Sequence, residues 1–168
     1  MKNNLLLILV ALLAASCTRN YYIVRHAEKA AENNVSMMSG DPPLSEKGQA
    51  RATALKESLK NAGIGYIFST NTVRTKATAE PTRIFFDLQT QLYAPQPTDS
   101  FINNLKTLKK NVLIVGHSNT VDDIVNKLCG TVKIPNDLDE SKYDNLYIIR
   151  KKGRKMTFEN EKYGELTP

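Results

Sequence analysis

Cysteine, histidine and tryptophan are scarce in this sequence. Its 168 residues contain two cysteines, two histidines and no tryptophan. Two cysteines cannot form the dense disulfide framework that stabilises small secreted domains. Two histidines without carboxylates at ligand spacing are also a poor basis for a zinc site. The length and the 41% hydrophobic content instead favour one globular domain with a hydrophobic core of its own.

Long apolar runs are absent as well. The longest one near the N-terminus, Leu5–Leu13, is too short to span a bilayer, and it follows a basic start at Lys2. This pattern is typical of an export signal. The small residues after it end on Cys17 and resemble a bacterial lipoprotein lipobox, although leucine is commoner where Ala14 stands.

The lipobox predicts how the chain is processed and where it resides. We expect residues 1–16 to be removed as a signal peptide and residues 17–168 to form a single domain. Cys17 would then carry lipid and anchor the protein to a bacterial membrane, facing the periplasm or the exterior. The alternative is an ordinary secretory signal with an incidental cysteine. The other cysteine, Cys129, lies in a helical pattern and is expected to be a small buried hydrophobic residue.

Acidic residues are outnumbered by basic ones, and the formal net charge is +6. Such an excess suits anionic ligands or lipid headgroups but is too diffuse to identify one. The densest basic cluster, Arg150 to Lys155, surrounds Gly153 and is interpreted as the solvated tip of a hairpin rather than a binding patch. We expect no nucleic-acid partner.

Short apolar strands alternate with amphipathic helical patterns along the chain. Strands are predicted at 21–24, 66–69 and 111–115, with a short one at 91–93 and a terminal hairpin around Gly153. A helix should begin at Ser45, and another near Thr72 should be bent or broken at Pro81. The expected fold is α/β, a three-layer α/β/α sandwich with a mostly parallel central sheet and an edge hairpin.

Both histidines and two arginines follow predicted strands. Arg25 and His26 follow the first strand, Arg74 lies one helical turn beyond the second, and His117 follows the strand at 111–115. Open parallel sheets bind ligands in the crevice beyond the carboxyl ends of their strands. We therefore expect these four side chains to meet in one crevice.

Several chemistries are excluded by what is missing. No G-x-x-x-x-G-K-[ST] loop is present, and neither cysteine is followed six residues later by arginine. The segment "GHSNT" approaches a G-x-S-x-G nucleophile elbow, but no histidine follows His117 to serve as the base for Ser118. What remains is phosphate chemistry, because arginine binds phosphoryl oxygens through planar, bidentate hydrogen bonds. Neighbouring guanidinium groups also lower the pKa of an imidazole and keep it neutral and nucleophilic.

Four motifs resemble those of the histidine phosphatase superfamily, which includes cofactor-dependent phosphoglycerate mutases and small phosphohistidine phosphatases. They occur in the order "VRHAEK", "DPPLSEKGQARA", "STNTVRTKATAE" and "VGHSNTV". The resemblance implies His26 as the nucleophile, with Arg25, Arg74 and His117 forming the phosphate pocket. It also implies a reaction that needs no metal and no cofactor. Ser118 is a further candidate phosphate donor.

Two departures from the family pattern stand out. Ala27 replaces the glycine that usually follows the nucleophile, which we interpret as a subgroup trait. The interval between Arg74 and His117 is too short for the long insertion of the mutases, which points to an open pocket and hydrolysis by water.

The expected activity is that of a metal-independent phosphomonoesterase acting on a small phosphorylated substrate. A non-catalytic phospho-ligand-binding lipoprotein and a phosphohistidine or phosphoprotein phosphatase remain as alternatives. The leaving-group acid is open among Glu28, Asp41 and Glu80. The natural substrate and the oligomeric state are not predicted.

Overall fold

The computed structural model describes residues 18–30 and 40–167. The predicted signal peptide, the lipobox and Cys17 lie outside the described residues. Six strands and four helices follow one another in these segments. The strands are β1 Thr18–Arg25, β2 Ile64–Ser69, β3 Thr90–Leu92, β4 Asn111–Gly116, β5 Asn145–Lys152 and β6 Lys155–Lys162. The helices are α1 Glu46–Leu59, α2 Val73–Phe85, α3 Asp99–Thr107 and α4 Val121–Cys129.

The strands form one mixed sheet in the order β3-β2-β4-β1-β5-β6. The first four strands in that order are parallel, whereas β5 runs antiparallel to β1 and forms a hairpin with β6 at the sheet edge. The predicted α/β sandwich with an edge hairpin is therefore confirmed. The turn of the hairpin between β5 and β6 includes Gly153, whose φ of 60° is readily adopted by glycine.

Alternating strand residues supply two core clusters on opposite faces of the sheet. In β1, Tyr21 and Ile23 pack with residues of α3 and α4, whereas Tyr22 and Val24 pack with residues of α1 and α2. This alternation follows from the two-residue repeat of a strand. A chain that begins at residue 18 keeps every described residue of both clusters.

Side-chain caps set the starts of the helices close to where the sequence predicts them. The Ser45 side chain accepts a hydrogen bond from the backbone N–H of Gly48, and the Thr72 side chain accepts one from Thr75. Helix α2 continues through Pro81 to Phe85 without a break. Helix α4 ends at Gly130, which has a left-handed φ of 69°.

Within the described residues, no helix is long and apolar enough to cross a membrane.

Candidate active site

The carboxyl ends of β1, β2 and β4 meet at one edge of the sheet. Residues Arg25 and Gly116 are paired in the β1–β4 ladder, and the His26 N–H donates to the Gly116 carbonyl at 2.9 Å. The rings of His26 and His117 consequently lie 5.5 Å apart, centroid to centroid. The two histidines of the sequence are thus brought together, as the strand pattern predicts.

A cavity of about 420 Å³ lies at this edge. It is lined by His26, Lys29, Arg74, His117, Ser118, Asn119, Asp137, Leu138 and Glu140. Four of the predicted site residues are among them. Arg25 is not in this lining, although it directly precedes His26 in the chain.

The hydrogen bond made by the His26 ring fixes the position of its proton. Its Nδ1 lies 2.8 Å from the backbone carbonyl oxygen of Ala27. A carbonyl only accepts, so Nδ1 carries the hydrogen and Nε2 retains the lone pair. This is the tautomer that a nucleophilic imidazole needs, with one nitrogen anchored and the other unprotonated.

Burial keeps this imidazole neutral. Desolvation, with smaller contributions from the charges of Arg25 and Arg74, lowers the pKa of His26 to about 3, even though the hydrogen bond to Ala27 opposes the shift. Burial and the same two guanidinium groups lower the pKa of His117 to about 4. At neutral pH, neither ring carries a charge.

Threonine hydroxyls hold the second histidine. Nε2 of His117 lies 2.8 Å from the Thr70 hydroxyl, which is itself 3.0 Å from the Thr75 hydroxyl. Thr70 and Thr75 are completely buried. A hydroxyl can donate or accept, so this pair can follow a change in the protonation of His117 without moving.

Arg74 is positioned by the start of α2 and by an aspartate. Its Nη1 donates to Asp41 at 3.0 Å, and the same carboxylate accepts from the backbone N–H of Val73. Asp41 therefore binds both the helix N-terminus and the guanidinium group, where a carboxylate is stabilised by the helix dipole. This role explains Asp41 without any proton transfer.

Arg25 is buried beneath the chain that follows α4. Its guanidinium carbon lies 4.2 Å from the centroid of the Tyr143 ring, and its Nη1 donates to the Asp139 carbonyl at 3.1 Å. Its Nη2 forms an ion pair with Glu140. Only 3% of the Arg25 side chain is exposed. Its link to the cavity lining is therefore the ion pair with Glu140.

Glu140 is a cavity residue that the sequence did not reveal. Its carboxylate accepts hydrogen bonds from Arg25 and from the Ser118 hydroxyl, two of the predicted phosphate-binding residues. Partial burial raises the pKa of Glu140, but these hydrogen bonds and the charges of Arg25 and Lys29 outweigh it and keep that pKa below its usual value. The Glu140 carboxylate therefore binds hydrogen-bond donors that are suited to bind an oxyanion.

The three candidate leaving-group acids named from the sequence each pair with an arginine. Glu28 receives bidentate hydrogen bonds from Arg51, Asp41 binds Arg74, and Glu80 pairs with Arg83 on its own helix. None of the three lines the cavity. Among the described residues, Glu140 is the glutamate that lines it.

Close packing fixes the backbone around the nucleophile. A Cβ atom at Gly48 would lie 2.1 Å from the Glu28 carbonyl oxygen, so α1 approaches this loop as only glycine allows. Ala27 needs no such freedom: its φ is not positive, its N–H donates to Thr78 at 2.9 Å, and its methyl group packs with Leu44. Alanine is therefore accommodated without backbone strain.

Within the residues that the structure describes, no group of three or more histidine, cysteine, aspartate or glutamate side chains could hold a metal ion. Cys129, on α4, is partly buried and packs against the larger core cluster.

Comparison with known proteins gives one family match. The family model described as the histidine phosphatase superfamily, branch 1, matches residues 21–94. The matched segment is similar to that superfamily over less than half of the chain. It runs from β1 to the end of β3 and includes His26 and Arg74. Comparison with curated proteins gives no significant match.

Solved structures share the fold over most of the chain. The protein histidine phosphatase SixA complexed with tungstate has a TM-score of 0.65 and 17% identity, covering 85% of this chain and 96% of its own. The phosphoglycerate mutase from Bacillus anthracis has a TM-score of 0.60 and 16% identity, covering 87% and 93%. A mycobacterial glucosyl-3-phosphoglycerate phosphatase in complex with VO3 has a TM-score of 0.60 and 16% identity, covering 86% and 98%. The chain therefore has the histidine phosphatase fold.

Proposed function

We propose that this protein is a metal-independent phosphatase that hydrolyses phosphomonoesters through a phosphohistidine on His26. The observation that carries the proposal is the bond from His26 Nδ1–H to the Ala27 carbonyl, which leaves Nε2 as the lone-pair nitrogen. The low pKa of His26 keeps that nitrogen unprotonated at neutral pH.

Groups that line the cavity are suited to the phosphoryl transfer. The Nε2 lone pair attacks phosphorus, the bond to the leaving oxygen breaks, and the phosphoryl group is transferred to nitrogen, while the leaving oxygen departs and takes its proton from solvent. Arg74 and His117 face the same cavity and would stabilise the charge on the equatorial oxygens. Water then attacks the phosphohistidine, which releases phosphate and restores the neutral imidazole.

The experiment uses the chain from residue 18 and a chromogenic aryl phosphate in a buffer containing a metal chelator. We expect turnover and an acid-labile, base-stable phosphoenzyme, both lost in His26→Ala. Lys76→Gln, an exposed change on α2, is the control and should retain activity. Equal turnover in His26→Ala and the parent chain would contradict the proposal. Binding of tungstate without turnover or phosphoenzyme would favour the non-catalytic phospho-ligand-binding alternative.

A second candidate is a phosphohistidine or phosphoprotein phosphatase. The similarity in fold to SixA, described as a protein histidine phosphatase, motivates it, whereas an export signal disfavours a cytoplasmic phosphorelay substrate. Comparison of kcat/KM for a phosphohistidine-containing protein with that for small esters separates the two. A large preference for the protein substrate would favour this second candidate.

We also propose that the mature protein is a lipoprotein anchored through Cys17. The proposal rests on the apolar run and the small residues that precede this cysteine. In a bacterial host, Cys17→Ser should abolish lipid labelling and release the protein from the membrane fraction. A variant that remains labelled and membrane-bound would contradict the lipobox.

A further inference from the structure

Cationic side chains gather at the end of the sheet opposite the cavity. We call this surface the basic edge. It consists of Arg19, Lys106, Lys109, Lys110, Lys151, Lys152, Arg154 and Lys155. The strand pairing brings them together: Arg19 is opposite Lys151, and Lys152 is opposite Lys155.

The end of α3 and the start of β4 extend the same surface. Nζ of Lys151 donates to the Lys106 carbonyl at 3.0 Å, which joins the hairpin to the end of α3. Lys109 and Lys110 directly precede β4, and the side chain of Asn111, its first residue, accepts from the Asn20 N–H at 2.8 Å. The cations therefore surround the amino-terminal ends of β1 and β4.

These cations lack acidic partners in the part of the chain that the structure describes. The ion pairs found among residues 18–30 and 40–167 include none of the eight. Nε and Nη1 of Arg19 are buried and have no hydrogen-bond partner among the described residues. Burial, together with the charges of Arg19, Lys106 and Lys109, lowers the pKa of Lys151. Like charges are thus crowded where an anion would relieve their repulsion.

The position of the basic edge beside Cys17, the proposed site of lipidation, points to a membrane. Cys17 is bonded directly to Thr18, the first residue of β1, and Thr18 pairs with Lys152 of the basic edge. His26 follows the other end of β1. The eight residues of that strand separate the two ends by about 23 Å, at about 3.3 Å per residue.

We propose that the basic edge binds the anionic headgroups of phospholipids and holds the domain with its cavity facing away from the bilayer. Anionic headgroups attract each Lys or Arg side chain near the membrane surface by about 1 kcal/mol, so a polybasic surface beside the lipid anchor would orient the domain. The orientation rests on the proposed lipid anchor at Cys17, whereas vesicle binding by the basic edge is independent of the phosphatase reaction. A failed activity assay would leave it standing.

The test is co-sedimentation of the chain from residue 18 with vesicles of phosphatidylcholine containing about one-third phosphatidylglycerol. We expect binding to these vesicles, little binding to pure phosphatidylcholine, and release at about 1 M salt. The variant Arg154→Gln/Lys155→Gln changes two exposed side chains at the hairpin turn. Each charge removed should weaken binding about fivefold, with phosphatase activity unchanged.

The control is Lys47→Gln/Lys76→Gln, which loses the same charge from exposed positions on α1 and α2. It should bind within about twofold of the parent chain. Equal weakening in both variants would show an effect of net charge alone and overturn the proposal. Failure to bind anionic vesicles would also overturn the proposal. So would displacement of the protein from the vesicles by duplex DNA at a lower concentration of phosphate charge than competing anionic lipid requires.

Discussion

Replacement of Glu140 by glutamine should strengthen the binding of tetrahedral oxyanions to the cavity. In the structure, the Glu140 carboxylate accepts from Arg25 and Ser118, both predicted to bind phosphoryl oxygens. An incoming tungstate or phosphate must compete with this carboxylate for the same donors. Glutamine removes the negative charge and keeps the size of the side chain, so the competition weakens.

The expected size of the effect follows from the exposure of the two partners. The Arg25 side chain is 3% exposed, but that of Glu140 is 69% exposed. An ion pair with one partner so well hydrated contributes at most about 1 kcal/mol. The dissociation constant for tungstate should therefore fall by about two- to fivefold.

The assay is isothermal titration calorimetry with sodium tungstate at neutral pH, on the chain from residue 18. Glu159→Gln is the matched control because it removes the same charge from β6, where Glu159 pairs with Arg150. Its tungstate affinity should equal that of the parent chain. KM for an aryl phosphate should fall in Glu140→Gln alone, with kcat unchanged.

Two outcomes would refute this reasoning. Weaker tungstate binding in Glu140→Gln would mean that the carboxylate supports the oxyanion site rather than competing with the ligand. A loss of kcat that is larger for alkyl than for aryl phosphates would instead identify Glu140 as the proton donor to the leaving group, because poor leaving groups depend most on such an acid.

Two further predictions concern the protonation of the histidines and the stability of the domain. With pKa values of about 3 for His26 and about 4 for His117, both rings stay neutral until the pH falls towards those values. Their NMR resonances should therefore not titrate between about pH 8 and pH 5. A titration midpoint near pH 6.5 for either ring would contradict these lowered pKa values. Arg51→Met leaves the partly buried Glu28 carboxylate without its buried partner and should lower the free energy of unfolding by about 3 kcal/mol in denaturant titrations. Lys47→Met breaks an exposed pair and should change it by less than about 1 kcal/mol.

The strands and the meeting of His26, Arg74 and His117 could be predicted because both depend on local patterns. Apolar runs identify parallel strands, and the carboxyl ends of such strands share one edge. The structure confirms the predicted α/β sandwich and edge hairpin. Of the bend or break predicted at Pro81, the break is wrong, since α2 runs through this residue.

The surroundings of Arg25 could not be predicted in the same way. Its contacts with Asp139, Glu140 and Tyr143 join residues more than 110 positions apart in the chain. They come from the irregular stretch between α4 and β5, which has neither helical nor strand periodicity. The interval between Arg74 and His117 adds no long insertion over the cavity, as its length predicts. One wall of the cavity comes instead from this later stretch. Its one sequence signal is a run of acidic residues, "NDLDE", in an otherwise basic chain.

The contrast between two glutamates shows what the sequence alone leaves open. Glu28 is adjacent to the nucleophile motif, yet its carboxylate is held by a buried Arg51, and its carbonyl is in contact with α1 at Gly48. It fixes the loop after His26 to that helix. Glu140 is more than a hundred residues away in sequence but is exposed, lines the cavity and contacts Arg25. Distance along the chain therefore misranks them: both pair with a buried arginine, and the exposure of Glu140 in the cavity lining shows which glutamate faces the cavity.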